Sequence, residues 1–247
     1  MSLLQAYFKN LYRRTMDESY IRARLEIAES IRAGGKILDC GAGSGHVYDQ
    51  LAQGSPGFDA SRYFGIEWVE EEARRGRERG LQIAQGDLNK RLPYDDGAFS
   101  CVFGLSVLEH LLYGCRYLQE CRRVLAPGGK LVLLTPNIST YFTAALILAG
   151  RMPSSGPHPD SSLLLDQEEV FRVREGREQL QVEDDTPPHR HLVVFSFRVL
   201  RGYLRTLGFS DVTGYGYGVY PFPNFMQPLL ERIDPYHSHQ MVFVARR

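Results

Sequence analysis

Asp39 closes the short apolar run Ile37-Leu38-Asp39-Cys40, and the next five residues, Gly41-Ala42-Gly43-Ser44-Gly45, carry three alternating glycines. Glycines at this spacing let the backbone approach a ligand with no Cβ in the way, and they supply the dihedrals a tight turn needs. Such a turn can cradle a dinucleotide pyrophosphate. Here, however, His46 stands where that fingerprint has its third glycine, and the Asp39 carboxylate repels a pyrophosphate while attracting a cationic amino-acid end. Glu67, 22 residues past Gly45, can accept both hydroxyls of a ribose, a device dinucleotide enzymes share. Asp87, in Gln85-Gly86-Asp87-Leu88, can accept from the exocyclic amine of an adenine, with Leu88 offering apolar contact. Three acids at three successive strand ends fit a nucleoside joined to an amino acid and carrying no phosphate.

The elements that must position these residues alternate. Residues 1–35 read as an amphipathic helical lead-in, with Tyr20-Ile21, Leu25, Ala28 and Ile31 at helical intervals and Gly34-Gly35 as its end. The strands expected next cover 36–40, 63–67, 81–85, 99–107 and 130–134, with helices over 46–53, 69–79 and 108–125. This rhythm predicts an α/β fold with a mostly parallel sheet covered on both faces, its ligand at the carboxyl ends of the strands. From 138 to 190 the rhythm fails: prolines recur, and 166–185 holds eight acids against three arginines, so an inserted lid that selects an acceptor is expected there. A helix over 195–207 and strands over 209–219 and 240–245 follow, all within one domain spanning 1–247.

Composition narrows the function classes. The chain has 29 basic and 29 acidic residues, so no net field draws it onto a polyanion, and nucleic acid is not an expected partner. The apolar run 141–149 is about half the ~20 residues of a membrane span. The first ten residues lack the pattern of a secretion signal, and the four cysteines form no C-x-x-C pair; a cytoplasmic protein with buried thiols is expected. Arg74-Arg75-Gly76-Arg77-Glu78-Arg79 reads as a solvated helix face.

Asp39 to Gly45, Glu67, Gly86-Asp87-Leu88, the run Leu92 to Phe99, Ser106-Val-Leu-Glu-His110 and Arg123 to Leu131 together resemble the class I S-adenosylmethionine-dependent methyltransferases. The branch they are most similar to is the small-molecule group that includes the ubiquinone and menaquinone C-methylases. The resemblance covers about residues 36–136 and resumes over 191–209, with one departure at Ser100, where the family commonly has an aspartate. It implies a Rossmann-like, doubly wound, seven-stranded sheet with its last strand antiparallel, and S-adenosylmethionine as cofactor. By position, Asp39 with Gly41, Ala42, Gly43 and Gly45 would hold the methionine portion and Glu67 the ribose, with Trp68 beside it. Asp87 and Leu88 would hold the adenine, and Leu105 and Ser106 would lie under the sulfonium.

A base is needed only where the acceptor is protonated at working pH. The candidates are Glu109 and His110 directly after the fourth strand, Asn137 after the fifth, and His189 and His191, brought in by the lid; for His110 a capping or packing role is the alternative. Tyr12 and Tyr20 either close over the cofactor or belong to the core. His237, His239 and Asp234 come from one short segment and make no convincing ligand set, so no metal is assigned. Tyr215, Tyr217, Tyr220, Phe222 and Phe225 suit an acceptor pocket, a homodimer contact or edge-strand packing. The expected activity is methyl transfer to a small-molecule or lipid- or glycan-linked acceptor. Two other readings stay open: an NAD(P)-binding reductase or epimerase, and a domain that binds S-adenosylmethionine without catalysis. A nucleic-acid methylase is opposed by the charge balance and by the lack of an Asn/Asp-Pro-Pro-aromatic motif at Thr135 to Ile138.

Overall fold

The computed structural model describes residues 3–153 and 191–247. Strands β1 (Ile37–Cys40), β2 (Tyr63–Glu67), β3 (Gln82–Gln85), β4 (Phe99–Leu105) and β5 (Leu125–Pro136) pair in parallel. With β6 (Ser210–Tyr217) and β7 (Gln240–Arg246) they form a seven-stranded sheet of order β3-β2-β1-β4-β5-β7-β6. Strand β7 is antiparallel to both β5 and β6, as the resemblance implies. The chain steps outward from β1 to β3 and then returns to the other side of β1 for β4. This reversal opens a crevice at the carboxyl ends of β1 and β4.

Successive strand residues point to opposite faces, and both faces are covered. Ile37, Cys101, Phe103, Val132 and Val242 pack with α1 (Leu3–Arg32), α2 (His46–Gly54) and α3 (Glu70–Glu78). Leu38, Cys40, Val102, Leu131 and Leu133 pack with α4 (Gly114–Val124) and α6 (Phe197–Thr206). Cys40, Cys101 and Cys121 are buried in these layers and Cys115 half-buried. The alternate glycines of β6 have a packing cause: a Cβ at Gly214 would come 2.5 Å from the Phe197 ring, and one at Gly216 2.4 Å from Ser238 Oγ.

The lead-in helix is a helix, but its buried stripe differs from the expected one. Leu11, Thr15, Ser19, Ala23, Ile27 and Ile31 face the sheet, whereas Ile21 and Leu25 are about half exposed. Small residues at 15, 19 and 23 let α1 lie close against the sheet. Their hydroxyls are satisfied within the helix, Thr15 donating to the Leu11 carbonyl and Ser19 to that of Met16. Lys130, buried on β5, fixes the far end of α1 through Glu26 (3.0 Å) and Glu29 (2.7 Å). Tyr215 lies under the Arg22 guanidinium, Tyr217 accepts from it, and Tyr220 donates to Thr15, so these three rings pack against α1, while Phe225 stays exposed.

The helix expected over 108–125 is divided. Leu108–His110 forms a single 3-10 turn, Leu111 is extended, and α4 starts at Gly114. On α3, Arg74, Arg75 and Arg77 pair with Glu70, Glu71, Glu72 and Glu78 on an exposed face. Ser100 sits at the amino end of β4, its hydroxyl bound to the Lys36 carbonyl, so the departure there falls away from the carboxyl-end crevice. Of the expected lid, residues 138–153 include α5 (Tyr141–Leu148), capped by Thr140; residues 154–190, and with them His189, lie outside the described residues. No helix among the described residues is long and apolar enough to cross a membrane.

Candidate active site

The glycine turn leaves β1 over the end of β2. The Gly41 and Ala42 amides both donate to the Ile66 carbonyl (2.8 and 3.1 Å), which draws the turn tightly across the two strands. Gly41, Gly43 and Gly45 all have positive φ. Their surroundings differ. A Cβ on Gly41 would lie 2.6 Å from a Val107 methyl and one on Gly45 2.2 Å from Leu81, whereas one on Gly43 would meet nothing within 4 Å. Gly43 therefore borders open space, and Gly41 and Gly45 serve close packing. Ala42 is buried, its methyl filling the room that Gly65 leaves on β2.

The three expected carboxylates belong to adjacent strands at one edge of the sheet. Glu67, at the end of β2, accepts from the Gly43 amide through one oxygen and from the Val69 amide through the other, both at 2.8 Å. It thus ties the glycine turn to the second strand. Asp87, after β3, accepts from the Asn89 amide at 2.9 Å, a local turn that holds its carboxylate in place, and Leu88 beside it is buried. Trp68 is half exposed, and its carbonyl accepts from Gln85.

Asp39 is 2% exposed and lies beneath the turn, accepting from the Tyr63 hydroxyl at 2.5 Å. Burial pushes its carboxyl up to about 7, against the Tyr63 hydrogen bond, and the Glu67 charge adds to the rise. Near neutrality Asp39 is a half-ionised group under the loop, able to respond to a cation placed above it.

At the end of β4, Leu105 and Ser106 are half-buried, and Ser106 takes a positive φ of 57° that a non-glycine residue seldom adopts. Its amide donates to the Leu134 carbonyl, and its hydroxyl lies 3.3 Å from that of Tyr20. Burial raises the Tyr20 pKa, and the Glu109 and Asp39 carboxylates add to it, so α1 brings this phenol to the edge that carries both acids. Tyr12, by contrast, packs edge-on to His239.

Glu109, in the 3-10 turn, is 2% exposed; Thr135 on β5 donates to it at 2.9 Å, and burial pushes its carboxyl up to about 7. Its backbone carbonyl accepts from the Leu192 amide at 2.7 Å and the Val193 amide at 3.3 Å. These bonds set the segment after residue 190 beside the turn, and the rings of His110 and His191 meet edge to face, centroids 5.3 Å apart. The structure thus joins Glu109, His110 and His191, from two stretches far apart in sequence.

Asn137 has a different role from the one expected. It is fully buried; its amide donates to the Tyr236 and Ser238 carbonyls, and its oxygen accepts from Ser139 and from the Phe197 amide. Its hydrogen-bonding capacity is consumed in tying β5 to α6 and to the turn before β7, which leaves nothing for an acceptor. Asn137→Ala is expected to lower unfolding free energy by about 2–3 kcal/mol, read from urea denaturation, because it strands several buried backbone groups. Asp234 likewise accepts from Tyr141 and His237, while His239 stacks on Tyr220 and burial lowers its pKa to about 4.

A family model for a methyltransferase domain matches residues 12–213. The chain is 33% identical over 111 residues to a protein of Mycolicibacterium smegmatis named a probable S-adenosylmethionine-dependent methyltransferase, a match over 44% of this chain and 41% of the relative. The chain thus spans about two fifths of that relative's length. It is 29% identical to the ubiquinone biosynthesis O-methyltransferase of Xanthomonas oryzae pv. oryzae over 67% of this chain and 68% of the relative. Its fold is similar to that of an S-adenosylmethionine-dependent methyltransferase of Mesorhizobium loti, with TM-score 0.54 and 18% identity over 87% of this chain and 91% of that one. The glycine turn, the carboxyl-edge acids and strands β1 to β5 lie within the matched range, and the chain belongs to the class I S-adenosylmethionine-dependent methyltransferases.

Proposed function

We propose that this protein transfers a methyl group from S-adenosylmethionine to a small-molecule acceptor, free or attached to a lipid or glycan. The observation that carries this reading is the set of Asp39, Glu67 and Asp87 on adjacent strand ends around a glycine turn that is open at Gly43. The donor set matches the cofactor group by group. Asp39 and the turn would face the cationic methionyl end, Glu67 the ribose hydroxyls with Trp68 alongside, and Asp87 with Leu88 the adenine. Leu105 and Ser106 would lie beneath the sulfonium. The acidic lining speaks against a pyrophosphate-bearing dinucleotide in the same place.

The bound cofactor supplies an electrophilic methyl carbon on sulfur. An acceptor atom held in line forms the new bond to that carbon as the carbon–sulfur pair passes to sulfur, and positioning supplies much of the rate. Glu109, His110 and His191 serve an acceptor that must lose a proton, and residues 138–190 select it. A cytoplasmic location and a single domain over 1–247 belong to the same proposal.

Calorimetry with S-adenosylhomocysteine is expected to give one site per chain with micromolar affinity. Correctly folded protein that gives no heat would discard the reading. Incubation with methyl-labelled S-adenosylmethionine and a metabolite extract then separates a catalyst, which labels a product, from a domain that binds without transfer.

A further inference from the structure

Glu109, His110 and His191 each offer one ligating atom, and these atoms all lie within 4.8 Å of one another. From this convergence we infer that the chain holds a divalent transition-metal ion between Glu109, His110 and His191, at the carboxyl end of β4.

The donor set selects the ion. Two imidazole nitrogens and one carboxylate oxygen suit a first-row cation such as zinc, whereas magnesium and calcium prefer oxygen throughout. With bonds of about 2.0–2.1 Å, a tetrahedral zinc needs its ligand atoms about 3.4 Å apart, so the three must draw in by roughly an ångström. That movement has to come from the two half-buried imidazoles, because Glu109 is the fixed member: Thr135 holds its carboxylate and the Leu192 and Val193 amides hold its backbone. The bonds that fix Glu109 also deliver His191, so the loop after residue 190 is anchored where it completes the set. Three protein ligands leave at least one coordination position open.

Resting on the proposed methyl transfer, the open position assigns the acceptor a class: one that binds through a hydroxyl, phenolic or enolic oxygen. Coordination favours the ionised oxygen by lowering its pKa, its proton passing to water. That oxygen then forms the bond to the methyl carbon as the carbon–sulfur pair passes to sulfur.

The test uses the full chain, stripped with chelator and titrated with zinc, manganese and magnesium chlorides. One zinc per chain is expected, bound more tightly than manganese, with magnesium weakest. Glu109→Gln and His191→Asn are each expected to weaken zinc at least about tenfold, as loss of a ligand should at minimum match loss of a ligand's supporting bond. Cobalt-loaded protein should show d–d absorption without a thiolate charge-transfer band, which excludes the cysteines. S-adenosylhomocysteine binding, measured on every sample, reports folding and the cofactor reading separately. Should Glu109→Gln fail to fold, His191→Asn, outside any helix or strand, carries the test. Chain that binds S-adenosylhomocysteine but takes up no zinc, or zinc affinity unchanged in the folded variants, overturns the metal site. Zinc binding lost in the variants, in a chain that ignores S-adenosylhomocysteine, upholds the metal site and defeats the methyltransferase reading.

Discussion

Gly43→Arg is expected to weaken S-adenosylhomocysteine binding at least about a thousandfold, ~4 kcal/mol, while lowering the thermal midpoint by only a few degrees. A side chain at Gly43 meets no protein atom within 4 Å, so the fold itself raises no steric objection. The remaining cost is the positive φ of 52°, about 1–2 kcal/mol for a residue with a Cβ. The arginine enters the open space beside the turn and sets a positive charge where the cationic methionyl end would lie. Neighbouring positions provide the contrast. Gly45→Ala drives a methyl into Leu81 and Gly41→Ala drives one into Val107, so both should lose stability. Calorimetry and thermal unfolding on the three variants separate a turn shaped for a ligand from one shaped only for packing. Unchanged affinity in Gly43→Arg would remove the turn from the cofactor site.

Asp39→Asn should make the protein more stable and less functional. Burial raises the folded-state pKa of Asp39 from 3.8 to about 7. For an acid this is the unusual direction: the folded chain holds the proton more tightly than the unfolded one. The favourable contribution is present in full below the unfolded value near 3.8 and is lost as pH rises to about 7. A rise of this size corresponds to about 4 kcal/mol. The substituted amide cannot ionise and can still accept from Tyr63, so at pH 8 the variant should gain about 2–4 kcal/mol, with the gain vanishing toward pH 4. The difference between the two pH profiles isolates Asp39 from other acids. Binding should move the opposite way. The ionised carboxylate attracts a cationic ligand, so wild-type affinity for S-adenosylhomocysteine rises with pH up to about 7 and then levels. In Asp39→Asn that rise is absent and affinity at pH 8 falls at least about tenfold, roughly 1.4 kcal/mol. Equal stability of the two proteins at pH 8 would show that Asp39 is not held in the apolar setting described.

The glycine turn and the acids around it are legible in the chain because their signals are local. A glycine turn directly after an apolar strand, followed by acids after the next two strands, needs no knowledge of distant contacts, and parallel pairing of β1, β2 and β3 brings the three acids to one edge. Placements that depend on distant contacts are less legible. Asn137 looked available because it follows a strand; its consumption by Tyr236, Ser238 and Phe197 involves residues 60 to 101 positions away. The buried stripe of α1 differs from the hydropathy expectation for a related reason: hydropathy favours Ile21 and Leu25, whereas the sheet covers the face that carries Leu11, Thr15, Ser19, Ala23, Ile27 and Ile31.

Sequence alone determined the succession of the strands, the glycine turn and the acids beside it, since each depends on residues close along the chain. Tertiary structure decided what those acids can do. Enclosure raises Asp39 and Glu109 toward neutrality, the Gly43 amide engages Glu67, and bonds from the Leu192 and Val193 amides set His191 beside His110. The physical reason is that desolvation and long-range hydrogen bonding depend on which surfaces meet, and residue order along one chain does not record that.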